Sequence, residues 1–324
     1  MFVVETPHRT QQSFHFYIHE VRTRFPAALM NIILLWSLTG LIGCSSSAPP
    51  PSPQQNDLAT PETITVIQNK GSDTLVNLAL AWAEAYMDER PNVRISVTGG
   101  GSGTGIAAMI IGTVDIANAS RAMKPEEIAA AEANGIIPVE FTVARDAIAV
   151  VVHPDNPVSR LTLQQISDIY TGKITRWSAV GGEDRPIVLL SRESNSGTYM
   201  YFLEHVVRLG DKESDLLYSP DTLLMPSSEG ISTEIRQNPN AIGYDGLGYV
   251  TADQKVIAVG RDVAGPYVLP SVESVNDGSY PISRPLFMYT AGEPQGEIAR
   301  YLTWIQEEGQ KLVSELGFVP LQTD

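Results

Sequence analysis

From Thr63 onward, short runs of alternating or continuous apolar residues give way to stretches with helical spacing, and this order repeats along the chain. Thr63 to Gln68 has strand character. A helix is predicted over Thr74 to Asp88, where Leu75, Leu78, Trp82 and Tyr86 recur at intervals of three and four and so share one stripe. Val93, Ile95 and Val97 alternate as a strand, and a glycine-rich loop leads to a helix predicted over Gly105 to Ile111. Strand, loop and helix in repeated order predict an α/β protein with parallel sheet. Two later β-type runs, Ala147 to His153 and Ala241 to Tyr244 followed by Lys255 to Val259, are candidate crossings between two lobes. One lobe would combine residues 62–146 with 252–324, and the other would take 147–251.

The first 43 residues follow another pattern. Arg22 and Arg24 precede an apolar run from Ala27 to Gly43, shorter than the roughly 20 residues a membrane span needs and of the length of a signal-peptide core with its flank. The run ends in Leu41-Ile42-Gly43-Cys44, and Cys44 is the single cysteine of the 324 residues. A leucine, a spacer, a small residue and Cys directly after such a core look like a lipobox. Residues 1–43 are therefore read as a lipoprotein signal peptide and Cys44 as the lipidated residue that holds the chain to a membrane. Residues 44–61 contain SSSAPPPSPQQNDLATP, too poor in apolar residues to pack, and are read as a disordered tether.

Charge narrows the partners. The chain carries −15 at pH 7, and the signal segment takes away Arg9, Arg22 and Arg24 against only Glu5 and Glu20, so the exported part is more acidic still. Such a surface argues against nucleic acid, which calls for clustered Lys and Arg. A disulfide within the chain is excluded by the lone thiol, and the lobes have to be held by burial. After residue 43 only His153 and His205 remain, which gives poor support for a zinc site or a Ser-His-Asp triad. Neither a metal nor a cofactor is expected, and the exported domain is expected to be a monomer.

One local design is written three times: Gly71-Ser72-Asp73-Thr74, then Gly99-Gly100-Gly101-Ser102-Gly103-Thr104-Gly105, then Arg192-Glu193-Ser194-Asn195-Ser196-Gly197-Thr198. Each follows a β-type run and opens a predicted helix. Free N–H groups at a helix start, the positive end of the helix dipole, glycines that admit a close approach and hydroxyl donors together suit an anion. Taken singly, each turn is also a satisfied helix cap. Taken together, with Arg192 four residues ahead of Ser196, they point to an oxyanion gripped by a guanidinium fork. Other glycine-loop chemistries do not match: GGGSGTG lacks the Lys-Ser/Thr ending of a nucleotide P-loop, and it fits neither G-x-G-x-x-G nor G-x-S-x-G.

With these turns in place, the sequence resembles the extracytoplasmic phosphate-binding proteins of phosphate ABC transporters, over nearly all of residues 63–320. Asp146 to Pro157, Gly172-Lys-Ile-Thr-Arg-Trp177 through Gly182, and Ala241 to Tyr249 are similar to recurring segments of that family, in the same order. The resemblance implies a type 2 periplasmic-binding-protein fold, two α/β lobes joined by two crossing segments, with inorganic phosphate as ligand and membrane permease subunits as partners. It also implies that Ser72 and Thr74 donate from the first turn and Ser102 from the second. Arg192 would form a charged hydrogen bond, with Ser196, Gly197 and Thr198 donating from the third turn, while Trp177 packs.

One departure stands out. Much of the family has a carboxylate after the Ser that ends the strand following the second turn's helix, where it accepts the proton of hydrogen phosphate. Here the segment reads Ala119-Ser120-Arg121. A buried acceptor is how such a site rejects sulfate, which has no proton to give. Asp73 is the candidate replacement, or else an N-cap; Asp146 and Asp245 are weaker candidates, and Arg121 is counted among the phosphate-binding residues or is alternatively a salt-bridge residue, with Asp73 as one partner. The alternative ligands are sulfate, molybdate and tungstate, and the reading from another class is a phosphate-ester hydrolase.

Overall fold

The computed structural model describes residues 64–322. The signal segment, Cys44 and the tether lie outside the described residues. The chain first lays down β1 (Thr65–Gly71), α1 (Val76–Glu89), β2 (Val93–Thr98), α2 (Ser102–Ile110), β3 (Ile116–Ala119) and α3 (Pro125–Ala133), with β1 parallel to both β2 and β3. β4 (Pro138–Val152) follows and is the longest strand, 15 residues. Next come β5 (Arg160–Thr162), α4 (Leu163–Tyr170), β6 (Val188–Arg192), α5 (Gly197–Phe202), β7 (Leu223–Met225), α6 (Ser228–Gln237) and β8 (Ala241–Gly246). The remainder is β9 (Lys255–Val256), β10 (Ala258–Gly260), β11 (Tyr267–Val268), α7 (Val272–Asn276), β12 (Ser283–Ala291), α8 (Gly296–Gln306) and α9 (Gln310–Glu315).

One continuous sheet runs β2-β1-β3-β12-β4-β8-β6-β7. β4 makes it continuous, because Pro138 to Ala147 pairs antiparallel with β12 and Ile148 to Val152 pairs antiparallel with β8. From Ala147 to Val152 every residue of β4 is buried; an unbroken apolar run is what a strand covered on both faces requires. Around its first half, Trp82 and Tyr86 of α1 meet Leu286 and Met288 of β12 and Tyr301 and Ile305 of α8. On the opposite face Ile106 and Met109 of α2 meet Phe287 and Tyr289. Around its second half, Ile166 and Ile169 of α4 pack with Phe202, Val206 and Tyr244, and Ile231 and Ile235 of α6 cover Ala149, Val151 and Leu190. The result is two α/β lobes sharing one long strand.

The second crossing lies at the start of β12, which corrects the boundary at residue 252 suggested by the sequence pattern. Ile257, Val259, Val275, Tyr280 and Ile282 belong to the same apolar cluster as Val150 and Val152, and β9 pairs with the second half of β4. A short apolar run reads alike in either lobe, and only its pairing partner assigns it. Helix starts differ as well. α2 begins at Ser102 instead of Gly105, because Gly100 and Gly101 take φ of 113° and 94° and complete the turn earlier. Ahead of α1, residues Asp73–Leu75 form a separate 3₁₀ turn.

Candidate functional site

The three hydroxyl-rich turns converge where the lobes meet. β1 delivers the first turn: the Ser72 N–H donates to the Asn118 carbonyl at 2.8 Å, and Ser72 and Thr74 are buried. From the second lobe α5 presents Thr198, whose hydroxyl lies 2.8 Å from that of Thr74. The second turn brings Ser102, whose Oγ accepts from the Ser120 N–H at 3.0 Å. Gly197 rests directly on the Ser102 and Ser120 hydroxyls, at a distance that leaves no room for a Cβ. Asn195 secures the contact, its carbonyl accepting from Gly103 N at 3.1 Å and its amide donating to Gly100 O at 2.9 Å. Ser196 caps α5 itself, accepting from the Thr198 and Tyr199 N–H groups at 3.2 and 3.5 Å.

Arg192, at the end of β6, is buried and held by several partners. It donates to Ser228 Oγ at 2.8 Å and to the Pro226 carbonyl at 3.2 Å, and it pairs with Asp73 of the other lobe at 3.1 Å. The same Asp73 oxygen accepts from Ser228 N at 2.8 Å. Ser228 Oγ passes the contact on to Asp245 Oδ1 at 2.8 Å. Burial pushes the Asp245 carboxyl up to about 7, against the pull of the Arg192 guanidinium. The buried side-chain atoms without a hydrogen-bond partner among the described residues include Ser72 Oγ, Arg121 Nε, Arg192 Nε and Asp245 Oδ2. Buried polar atoms are ordinarily paired, so three donors and one acceptor here are left for something other than the protein.

Arg121 lies beside the second turn, its Nη2 3.7 Å from where a Cβ on Gly103 would stand. Its two terminal nitrogens meet Glu127 at 2.6 and 2.7 Å; burial would raise that carboxyl, but the Arg121 hydrogen bonds hold it below its usual value. Its carboxylate partner is thus Glu127 of α3, while Asp73 pairs with Arg192. Trp177 is packed within the second lobe, its indole donating to Asn240 O at 3.0 Å. His205 stacks on Tyr201 with centroids 3.9 Å apart, and His153 lies 3.8 Å from Asp155. Among the described residues there is no cluster of three His, Cys, Asp or Glu side chains able to hold a metal, and no helix is long and apolar enough to cross a membrane.

Sequence reasoning missed Arg284 and Ser228. Arg284, the second residue of β12, sits fully buried against Asp146 at 2.9 Å and donates to the Thr198 hydroxyl at 3.0 Å. The available signal was a charged residue inside the apolar run YPISRPLFMYT, where a strand interior leaves a cation only a buried partner. For Ser228 the signal was the Ser-Ser-Glu start of α6.

Comparison with known proteins places this geometry. The profile of the PBP superfamily domain matches residues 54–308. The phosphate-binding protein PstS of Pseudomonas aeruginosa is 34% identical over 273 residues, covering 79% of this chain and 83% of its own. PstS of Bacillus subtilis is 32% identical over 253 residues, with 78% and 79% covered. Among solved structures, a putative phosphate ABC transporter substrate-binding protein from Clostridium perfringens, with bound phosphate, superposes with a TM-score of 0.71 at 35% identity, covering 80% of this chain and all of that one. A phosphate transport receptor from Vibrio cholerae gives a TM-score of 0.63 at 28% identity, covering 79% of this chain and 100% of that chain. The chain therefore belongs to the PBP superfamily and, within it, to the family of the phosphate-binding proteins PstS.

Proposed function

We propose that this protein captures inorganic phosphate between its two lobes and hands it to the permease of an ABC transporter, without making or breaking a bond. The observation that carries the reading is that the buried donors Ser72 Oγ, Arg121 Nε and Arg192 Nε lack a protein acceptor where the lobes bring together Thr74, Ser102, Thr198 and the start of α5. A tetrahedral oxyanion supplies acceptors in several directions at once. In this reading Ser72, Thr74, Ser102, Arg192, Ser196, Gly197 and Thr198 form the donor set, through hydroxyls, guanidinium or backbone N–H. Arg121, paired with Glu127 through its terminal nitrogens, contributes Nε and leaves acceptance of the ligand's proton to another group. Asp73 takes that role, since it faces Arg192 across the cleft and remains partly exposed.

Calorimetry of residues 60–324 with phosphate, arsenate, sulfate, molybdate and tungstate tests the reading. Phosphate and arsenate are expected to bind and the others not; sulfate or tungstate binding in place of phosphate would overturn it. On the same panel Arg192→Ala is expected to weaken phosphate by about 2–5 kcal/mol, the range for removing one side of a buried charge pair. Asp73→Asn is expected to narrow the preference over sulfate. The motif Leu41-Ile42-Gly43-Cys44 supports export and anchoring through acylated Cys44. Intact-mass measurement of the N-terminal peptide checks this, and an unmodified Cys44 refutes it.

A further inference from the structure

Arg284 occupies a special place in the fold. It stands directly opposite Asp146 in the β4–β12 register, where the chain returns from the second lobe to the first. Both side chains are completely buried. Arg284 Nε and Nη2 reach Asp146 Oδ2 at 3.2 and 2.9 Å, and Nη1 donates to the Ser120 carbonyl at 3.0 Å. Nη2 also donates to Thr198 Oγ1 at 3.0 Å and, more loosely, lies 3.4 Å from Thr74 Oγ1. One guanidinium on a crossing strand thus touches a hydroxyl from each lobe.

A guanidinium has donors and no acceptor, whereas a hydroxyl has one proton and two lone pairs. A threonine oxygen that accepts from Arg284 must send its own proton elsewhere. The Thr74–Thr198 contact can hold one of the two protons, which leaves the other directed away from Arg284. Once an anion separates the pair, both protons turn toward it. We propose that Arg284 is a positioning residue of the anion site: by occupying a lone pair of Thr198 and approaching one of Thr74 it orients both hydroxyls to donate to the ligand oxygen between the lobes. This rests on the reading of the site as a phosphate site. Because Thr74 and Thr198 come from different lobes, both contacts to Arg284 exist together only in the closed arrangement. Asp146 keeps the cation in place and is itself tied to the second lobe's end by the Leu247 N–H at 3.2 Å.

A double-mutant cycle on the exported protein, anchor included, in detergent and titrated with inorganic phosphate, tests this. Arg284→Lys keeps a charge but loses the planar fork, and Thr198→Val removes one hydroxyl at nearly constant volume. Each is expected to weaken binding roughly 10- to 100-fold, the span for a hydrogen bond to a charged group. If Arg284 acts through the hydroxyl, the double variant is weaker than the poorer single by no more than about threefold. Losses that multiply would overturn the proposal, as would wild-type affinity in a folded Arg284→Lys variant. Should Arg284→Lys fail to fold, Asp146→Asn, which frees the guanidinium without removing it, takes its place in the cycle: losses that do not multiply support the proposal, and losses that multiply overturn it. Failure of the unmodified protein to bind phosphate would instead strike the reading of the site itself.

Discussion

Asp245 shows how a single side chain sets conditions for the site. Its carboxyl is pushed up to about 7 by burial, from an ordinary value of 3.8 in the unfolded chain. A group that holds its proton more tightly when folded adds stability at low pH, and that contribution drains away as pH rises from about 4 to about 7. Asp245→Asn keeps acceptor capacity toward Ser228 and Gly246 but has no charge to bury. Urea denaturation of both proteins at several pH values is therefore expected to show the wild type losing stability relative to the variant across that window. A constant difference would mean that Asp245 does not titrate there. The residue scale is also where the sequence was least legible. Arg192 announced itself beside a hydroxyl-rich turn, whereas Arg284 lies in a plain strand pattern 138 residues from Asp146. Only sheet register brings those two together.

At the scale of elements, hydrophobic spacing located α1, β2 and the crossing strand β4, because each buries one continuous stripe or run. It placed the ends of elements less well. Gly100 and Gly101 read as loop by propensity, yet their positive φ is what lets α2 start at Ser102 and bring that hydroxyl to Ser120. The start of α5 carries a stricter requirement. A methyl group on residue 197 would overlap the Ser102 and Ser120 hydroxyls of the opposite lobe. Gly197→Ala is therefore expected to hold the lobes slightly apart, with an overpacking penalty of about 1–3 kcal/mol falling on closure, which is roughly a 10- to 100-fold loss of phosphate affinity. Small-angle scattering with saturating phosphate would show a larger radius of gyration than for the wild type. Identical compaction and affinity would contradict this contact.

For the whole molecule, the sequence supplied two lobes and two crossings but put the second crossing too early. Residues 255–282 are assigned by the cluster they join, with Tyr280 and Ile282 packed beside Val150, and not by any composition change of their own. The acidic surface was legible at once, and it makes a kinetic prediction. A chain at −15 repels an incoming dianion at long range, while the donors of the site act only at contact. Stopped-flow association with phosphate is expected to stay level or quicken as sodium chloride is raised to about 0.5 M. A tenfold fall would reveal positive steering.

The pairing of Arg192 with Asp73, of Arg284 with Asp146 and of Arg121 with Glu127 has a further consequence. Each of these three guanidiniums already has its own carboxylate, and Asp245 adds a further carboxyl beside Arg192, so they bring no surplus positive charge to the cleft before an anion arrives. Such a receptor recognises its cargo by the directions of O–H and N–H bonds and not by surplus charge. Chloride, plentiful and singly charged but unable to meet donors at tetrahedral angles, should then pass it by, and selective uptake would persist in brine.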